Sequence, residues 1–160
     1  MNFFVISLIL SCLTLFLLVP DSGKVRCTCR PSPPGGVTEC QSGQNAVCTV
    51  SGGVCKGSCI SLSTDLQPLQ YSAELLSLLF EEKVRVQDLE KDPETSKKLL
   101  AEIMNLSKKG KTGTLIFNGR KYPDICIGLT KAAIDKLKLA SKALPASKKI
   151  HIPAVPRIKW

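Results

Sequence analysis

The chain has 160 residues, a net charge of +9 and eight cysteines. Its length allows one ordinary domain, or a small disulfide-stabilised domain joined to a helical one. It contains a single histidine and no nucleophile-elbow, zinc-protease, P-loop or dinucleotide-binding motif. These absences argue against an enzyme, so we expect no catalytic residue, no metal site and no cofactor.

An apolar segment occupies residues 3–19 and is followed by small residues and helix breakers. This order is typical of a signal peptide with its cleavage region. However, the positive charges Lys24 and Arg26 follow the apolar segment instead of preceding it, which favours an uncleaved anchor. We predict that residues 1–23 are a signal peptide or a membrane anchor, with a buried core helix as a third reading. The protein is therefore expected to be secreted or extracytoplasmic, or else anchored by a single span.

Six cysteines lie in the next forty residues, 24–63, which are too few to bury a self-sufficient core. An even number of cysteines after an export signal predicts disulfides and an oxidising compartment. A zinc site or a redox dithiol is the alternative, but neither C-x-x-C spacing nor a nearby histidine supports it. The pairing stays open, because six cysteines allow fifteen connectivities. The predicted disulfide cysteines are Cys27, Cys29, Cys40, Cys48, Cys55 and Cys59.

Turn residues divide this cysteine-rich segment into short predicted strands over residues 37–40, 46–50 and 54–61. The Gly52-Gly53 pair suits a two-residue hairpin turn between the last two strands. That turn would place Val50 opposite Cys55 and Cys48 opposite Gly57. We therefore predict a small disulfide-stapled β module.

Residues 70–146 are predicted as a mainly helical α+β domain that would stay folded after reduction of the module. Ser72 is predicted to cap its first helix, and the apolar pattern breaks near residues 82–83. Asp92 followed by Pro93 predicts the start of the next helix, and Gly110 predicts its end. The fold class predicted for the whole chain is α+β, a small disulfide-stapled β module followed by a mainly helical domain with one β-hairpin.

That hairpin is predicted from the Asn118-Gly119 pair, which favours a type I′ turn between two β-rich runs. Its returning strand continues past Pro123, which suggests an edge strand. Thr130 is predicted to cap a last helix that ends near Leu144. Cys126 lies in the returning strand and is a candidate free thiol, with an intermolecular disulfide as the alternative.

The positive charge is concentrated in the C-terminal part of the chain. Residues 93–160 hold fifteen Lys/Arg and four Asp/Glu, whereas residues 1–92 hold seven and nine. This asymmetry indicates either internal charge complementarity or a surface for an anionic partner. Residues 147–160 are predicted to form a basic, disordered tail. Its candidate anionic-surface residues are Lys148, Lys149, Arg157, Lys159 and Trp160.

Three functions are compatible with these patterns. The first is an exported cysteine-rich binding protein with a basic C-terminal half. Its partner is unidentified: an anionic surface or polymer, or a protein. Nucleic acid is disfavoured, because the basic region lacks interleaved aromatic residues that stack on bases. The second is a cationic membrane-active or growth-inhibiting protein of the defence type, and the third is a membrane-anchored envelope structural protein.

Overall fold

The computed structural model describes residues 23–28, 36–51, 54–110 and 112–146, and these form both helices and strands. The first 22 residues, Cys29 and the tail from residue 147 onward lie outside this part of the chain. The predicted α+β class with disulfides is confirmed. The elements in chain order are β1 (Arg26–Thr28), β2 (Val37–Glu39), β3 (Asn45–Ser51), β4 (Val54–Ile60), α1 (Pro68–Phe80), α2 (Val86–Lys91), α3 (Pro93–Lys109), β5 (Gly113–Phe117), β6 (Arg120–Gly128) and α4 (Lys131–Ala143).

The main sheet is antiparallel and has the strand order β4-β3-β6-β5. Strand β3 comes from the cysteine-rich segment 24–63, and β6 comes from the predicted helical segment 70–146. Their pairing, with Cys48 opposite Cys126, joins both segments in one sheet. Strands β1 and β2 form a separate antiparallel pair, which we call the ribbon.

The two hairpins have the registers that their sequences predict. In the β3–β4 hairpin, Val50 lies opposite Cys55, and Cys48 lies opposite Gly57. In the β5–β6 hairpin, Asn118 and Gly119 have φ values of 48° and 74°, as a type I′ turn requires. Local turn chemistry therefore fixes the β5–β6 register, whereas the predicted Gly52-Gly53 turn lies outside the described residues.

Three of the four predicted helix caps are confirmed. The Asp92 side chain accepts a hydrogen bond from the Thr95 backbone N–H at the start of α3. Gly110 ends the same helix with a left-handed φ of 59°. The Thr130 hydroxyl accepts a hydrogen bond from the Ala133 N–H at the start of α4.

The predicted Ser72 cap is wrong, because α1 begins one turn earlier at Pro68. Proline suits a first helical position, since its missing N–H would have no partner there. Ser72 lies inside the helix, and its hydroxyl donates to the Pro68 carbonyl.

The prediction that the strand containing Pro123 is an edge strand is also wrong, since β6 lies between β3 and β5 and Ile125 pairs with both. Between the β5 pairings of Tyr122 and Ile125, β6 has one more residue than β5, which makes a bulge. Asp124, at this bulge, has a φ of 56°. Proline is compatible with a bulge, because a bulged residue gives no ladder hydrogen bond.

The sheet separates two buried clusters on its opposite faces. One face packs against the helices through alternate apolar residues such as Val47, Ile125 and Ile127, all in the main core. The other face carries Cys48 and Cys126 and packs against the ribbon. The described residues therefore form three layers, which are the helices, the sheet and the ribbon.

Candidate functional site

The ribbon is fixed to the sheet by disulfides. Cys27 of β1 bonds to Cys48 of β3, with 6.4 Å between their Cα atoms. Cys40, which follows β2, bonds to Cys59 of β4, with 5.5 Å between Cα atoms. Cys55 is also disulfide-bonded. Since the two described ribbon strands have three residues each, these bridges supply stability that their own burial cannot.

Two glycines let the ribbon lie close to the sheet. A Cβ atom at Gly128 of β6 would lie 2.5 Å from the carbonyl oxygen of Arg26 in β1. A Cβ atom at Gly57 of β4 would overlap the Thr38 side chain of β2. Glycine is therefore required at both positions for the ribbon to pack as it does.

Cys126 carries a free thiol that is fully buried beneath the ribbon. It lies opposite the disulfide-bonded Cys48 across the β3–β6 ladder. Burial raises the pKa of the Cys126 thiol, while hydrogen bonds from backbone groups of Thr28 and Ile127 partly oppose this shift. A buried thiol with a raised pKa is a poor nucleophile, so Cys126 acts as an apolar core residue.

A buried amide connects the cysteine-rich strand β3 to two helices. Asn45 has 1% of its surface exposed, and its Nδ2 donates to the hydroxyl of Tyr71 in α1 over 3.1 Å. Its Oδ1 accepts from the backbone N–H of Thr130, the cap of α4, over 3.0 Å. Burial raises the pKa of Tyr71, and the Asn45 hydrogen bond opposes that shift in part. This polar link was not predicted from the sequence, where Asn45 reads as a loop residue.

Several of the described lysines have acidic or main-chain partners. On α4, Asp135 forms ion pairs with both Lys131 and Lys138. Lys136 donates to the Leu66 carbonyl, which places its charge against the main chain before α1. The predicted anionic-surface residues of the tail lie outside the described residues. Among the described residues, no cluster of three potential metal ligands is found, and no helix has the length and apolarity to cross a membrane.

An apolar surface cleft runs between α3 and β5 and has a volume of about 350 Å³. We call it the β5 edge groove. Leu99 of α3 and Leu115 of β5 form its buried floor, being 4% and 1% exposed. Ile116 is 52% exposed beside it. The residues that line the groove are Thr95, Lys98, Leu99, Glu102, Thr114, Leu115 and Ile116.

Strand β5 is one edge of the sheet, with β6 as its only neighbour among the described strands. In a two-residue hairpin, the residues that flank the turn form a hydrogen-bonded pair, and such pairs alternate along the ladder. Phe117 and Leu115 therefore bond to β6. Thr114 and Ile116, in contrast, direct their backbone N–H and C=O groups outward along the groove.

The opposite edge of the sheet, β4, is less suited to pairing with another strand. It carries the charged Lys56 and is tied to the ribbon by Cys59. Lysines on an edge strand protect it against further pairing. Strand β5 has no charge and no proline in its sequence GTLIF. The β5 edge groove thus combines unpaired backbone with an apolar floor, which is what an added strand requires.

Sequence reasoning predicted the β5 hairpin but not the groove. The available signal was the run of five uncharged residues, which is unusual for a strand left at an edge. The sequence could not reveal which strand would become the edge, because the β3–β6 pairing joins residues about eighty positions apart.

Two further clefts are more polar. One, of about 490 Å³, lies near the start of α4 and includes Lys24 and Lys131 in its lining. Both lysines already form ion pairs, with Glu39 and Asp135 respectively. The other, of about 510 Å³, lies between β4 and the end of α1. This cleft also lies beside an edge strand and contacts the buried Val47 and Leu79, but the charged Lys56 and Glu81 line it as well.

Comparisons of this chain with protein-family models, with curated proteins and with solved structures give no match. Inference about function therefore depends on the residues and the geometry described above.

Proposed function

We propose that this chain is an exported, disulfide-stabilised protein that acts by binding and not by catalysis. Its binding site is the β5 edge groove, and the ligand is an extended segment of a protein. Such a segment would add to the sheet as a fifth strand, and its side chains would alternate between the α3 wall and the opposite face.

The observation that carries this proposal is the outward backbone of Thr114 and Ile116 beside an apolar floor. Backbone hydrogen bonds to those two residues would provide affinity with little dependence on the sequence of the ligand. The floor, formed by Leu99 and Leu115, would favour an apolar ligand residue at the alternate position.

The disulfides support the exported location, because such bonds persist in oxidising compartments. The apolar segment 3–19 fits delivery to such a compartment, as a signal peptide or as an anchor. Secretion and anchoring differ in the fate of residues 1–23. N-terminal sequencing of the mature protein from its native host separates them.

A cationic, membrane-active function is the second candidate, and the charge distribution favours it. The described residues hold sixteen Lys/Arg and twelve Asp/Glu, a net charge of +4, out of +9 for the whole chain. More than half of the net charge thus lies in the other residues, mainly in the tail 147–160. If this candidate is right, binding to anionic vesicles will weaken with added salt and will be lost when the tail is removed.

The groove proposal is tested by selecting twelve-residue peptides from a display library on the wild-type protein. The matched negative selection uses Ile116→Pro, which removes one outward N–H and leaves the β6 ladder intact. We expect selected peptides to bind the wild type and not the variant, and to slow amide hydrogen exchange at Thr114 and Ile116. Peptides that bind both proteins equally, with no protection of β5, would place the binding site elsewhere.

A further inference from the structure

We infer that the segment bound in the β5 edge groove is β5 of a second copy of this chain. The two strands run antiparallel, with Leu115 facing its own copy across a two-fold axis. This inference rests on the proposed function, since it names the occupant of the same groove.

The outward groups of β5 select this register. A hydrogen-bonded pair forms only where an outward residue faces another outward residue. With the axis at Leu115, Thr114 of each copy faces Ile116 of the other. That arrangement gives two hydrogen-bonded pairs and four backbone hydrogen bonds. With the axis at Thr114 or at Ile116, the Thr114 and Ile116 residues of the two copies would form only one hydrogen-bonded pair with each other.

The side chains on the face away from the helices fit the same register. Ile116 is one of the few large apolar residues that are about half exposed. In the dimer it would lie directly across from Thr114 of the other copy, and the two β-branched side chains would contact each other. Cross-strand pairs of this kind stabilise antiparallel sheets.

The helix layer also fits, because α3 lies over both β5 and β6. If the axis of α3 lies midway between β5 and β6, its distance from the β5 edge of the sheet is about half of the spacing between neighbouring strands. Pairing two β5 strands about 4.8 Å apart then puts the two α3 helices about 10 Å apart. This spacing is within the usual range of about 8–10 Å for packed helices.

A two-fold axis would bring opposite charges on the two α3 helices next to each other. Lys98 and Glu102 are exposed, one turn apart on the groove wall, and form no ion pair with one another. The helix runs opposite to β5, since only residues 110–112 connect the two elements and Leu106, near the end of α3, lies against Gly113 at the start of β5. The groove is lined by residues 95–102 of α3 and by residues 114–116 of β5, so an axis at the central strand residue, Leu115, would pass between Lys98 and Glu102. Each Lys98 would therefore face Glu102 of the other copy.

These charges provide the test. Lys98→Glu or Glu102→Lys alone would turn two attractive pairs into two repulsive ones, and we expect each to weaken the dimer at least about tenfold. The double variant Lys98→Glu/Glu102→Lys restores both pairs and should dimerise as the wild type does. A mixture of the two single variants should form a heterodimer, since each supplies the charges that the other needs.

Sedimentation velocity over a dilution series of the full mature chain gives the dimer affinity. Ile116→Lys should abolish the dimer, and Val54→Lys is the matched control. Val54 is also an exposed β-branched residue on an edge strand, but on the β4 edge. In the wild type, amide exchange at Thr114 and Ile116 should slow as protein concentration rises.

Three outcomes would overturn the inference, and they separate it from the proposed function. A wild-type chain that stays monomeric up to its solubility limit excludes the second copy as occupant. If library peptides still bind the groove in that case, the proposed function stands and the ligand is foreign. If the dimer still forms in Ile116→Lys, or if its affinity is the same in the Lys98→Glu and Glu102→Lys variants as in the wild type, the dimer uses another surface.

Discussion

Replacement of Asn45 by alanine tests whether the cysteine-rich strand and the helices share one core. The substitution removes a buried hydrogen bond to the Tyr71 hydroxyl and a partly buried one from the Thr130 N–H. It also leaves those two groups without their partner in the interior. Asn45 is on β3, whereas Tyr71 and Thr130 belong to the helical segment, so the loss measures coupling between the two.

The expected loss in the free energy of unfolding follows from these contacts. The two hydrogen bonds contribute about 1 kcal/mol each, and the groups left unsatisfied add about 1 kcal/mol or more. We therefore expect Asn45→Ala to cost about 3 kcal/mol. In a folded region of about 120 residues, this corresponds to a fall of roughly 10 °C in Tm. Tyr71→Phe breaks only one of the bonds, so it should cost about half as much.

Urea unfolding followed by both circular dichroism and tyrosine fluorescence gives the free energies. Gln70→Ala is the matched control, because it removes an exposed amide whose hydrogen bond to Glu74 is long, at 3.5 Å. We expect that control to change stability by less than about 0.5 kcal/mol. If Asn45→Ala cost no more than Gln70→Ala, the amide would not couple β3 to the helices. Additive losses for Asn45→Ala and Tyr71→Phe would likewise contradict a direct bond between them.

Two further predictions concern the cysteines. Mass spectrometry of the non-reduced mature chain should find Cys27 bonded to Cys48, Cys40 to Cys59 and, by elimination, Cys55 to Cys29. Cys126 should be alkylated only after unfolding. Recovery of Cys126 in any disulfide would contradict this pairing. The free energy of unfolding should be highest at neutral pH and fall as pH rises past about 8.5, because burial raises the pKa of Cys126 and its thiol ionises first in the unfolded chain. Urea unfolding measured up to about pH 9.5 should show a smaller fall in this free energy for Cys126→Ala than for the wild type. An equal fall in both proteins would show that the Cys126 thiol is not its cause.

Local features were predictable from the sequence because their causes lie within a few residues. The Asp92 cap, the Gly110 helix end and the Asn118-Gly119 turn each depend on backbone chemistry over one turn of chain. The Ser72 cap failed because two local signals competed. A serine can bond to a backbone carbonyl one turn back as easily as it can cap a helix. Proline at residue 68 decided the start of α1 instead.

Long-range pairing was not predictable, and the groove depends on it. The alternation in residues 46–50 predicts a strand with two faces, but it does not say what covers each face. The two faces of β3 contact different layers, with Val47 against the helices and Cys48 against the ribbon. Nothing within residues 24–63 identifies β6 as the second neighbour of β3.

The shared sheet changes what disulfide reduction should do. From the sequence alone, residues 70–146 were expected to stay folded after the cysteine-rich segment was released. Yet Val47 and Ile60 lie in the same core as the helices. Losing their strands would expose that core and leave β6 without one neighbour, so reduction should lower the stability of the helices as well.

The Asn118-Gly119 turn fixes the β5–β6 register, which was predictable from the sequence, and through it the backbone groups of the β5 edge groove, which was not. A two-residue turn makes Phe117 and Arg120 a hydrogen-bonded pair, and strand alternation then directs the backbone of Ile116 and Thr114 outward. A turn longer by one residue would change that alternation, and Leu115 and Phe117 would present their backbone to the groove instead. The side-chain faces would then conflict with the core, because Leu115 and Phe117 pack against the helices. The same turn that fixes the hairpin register therefore determines which backbone groups the β5 edge groove offers to another strand.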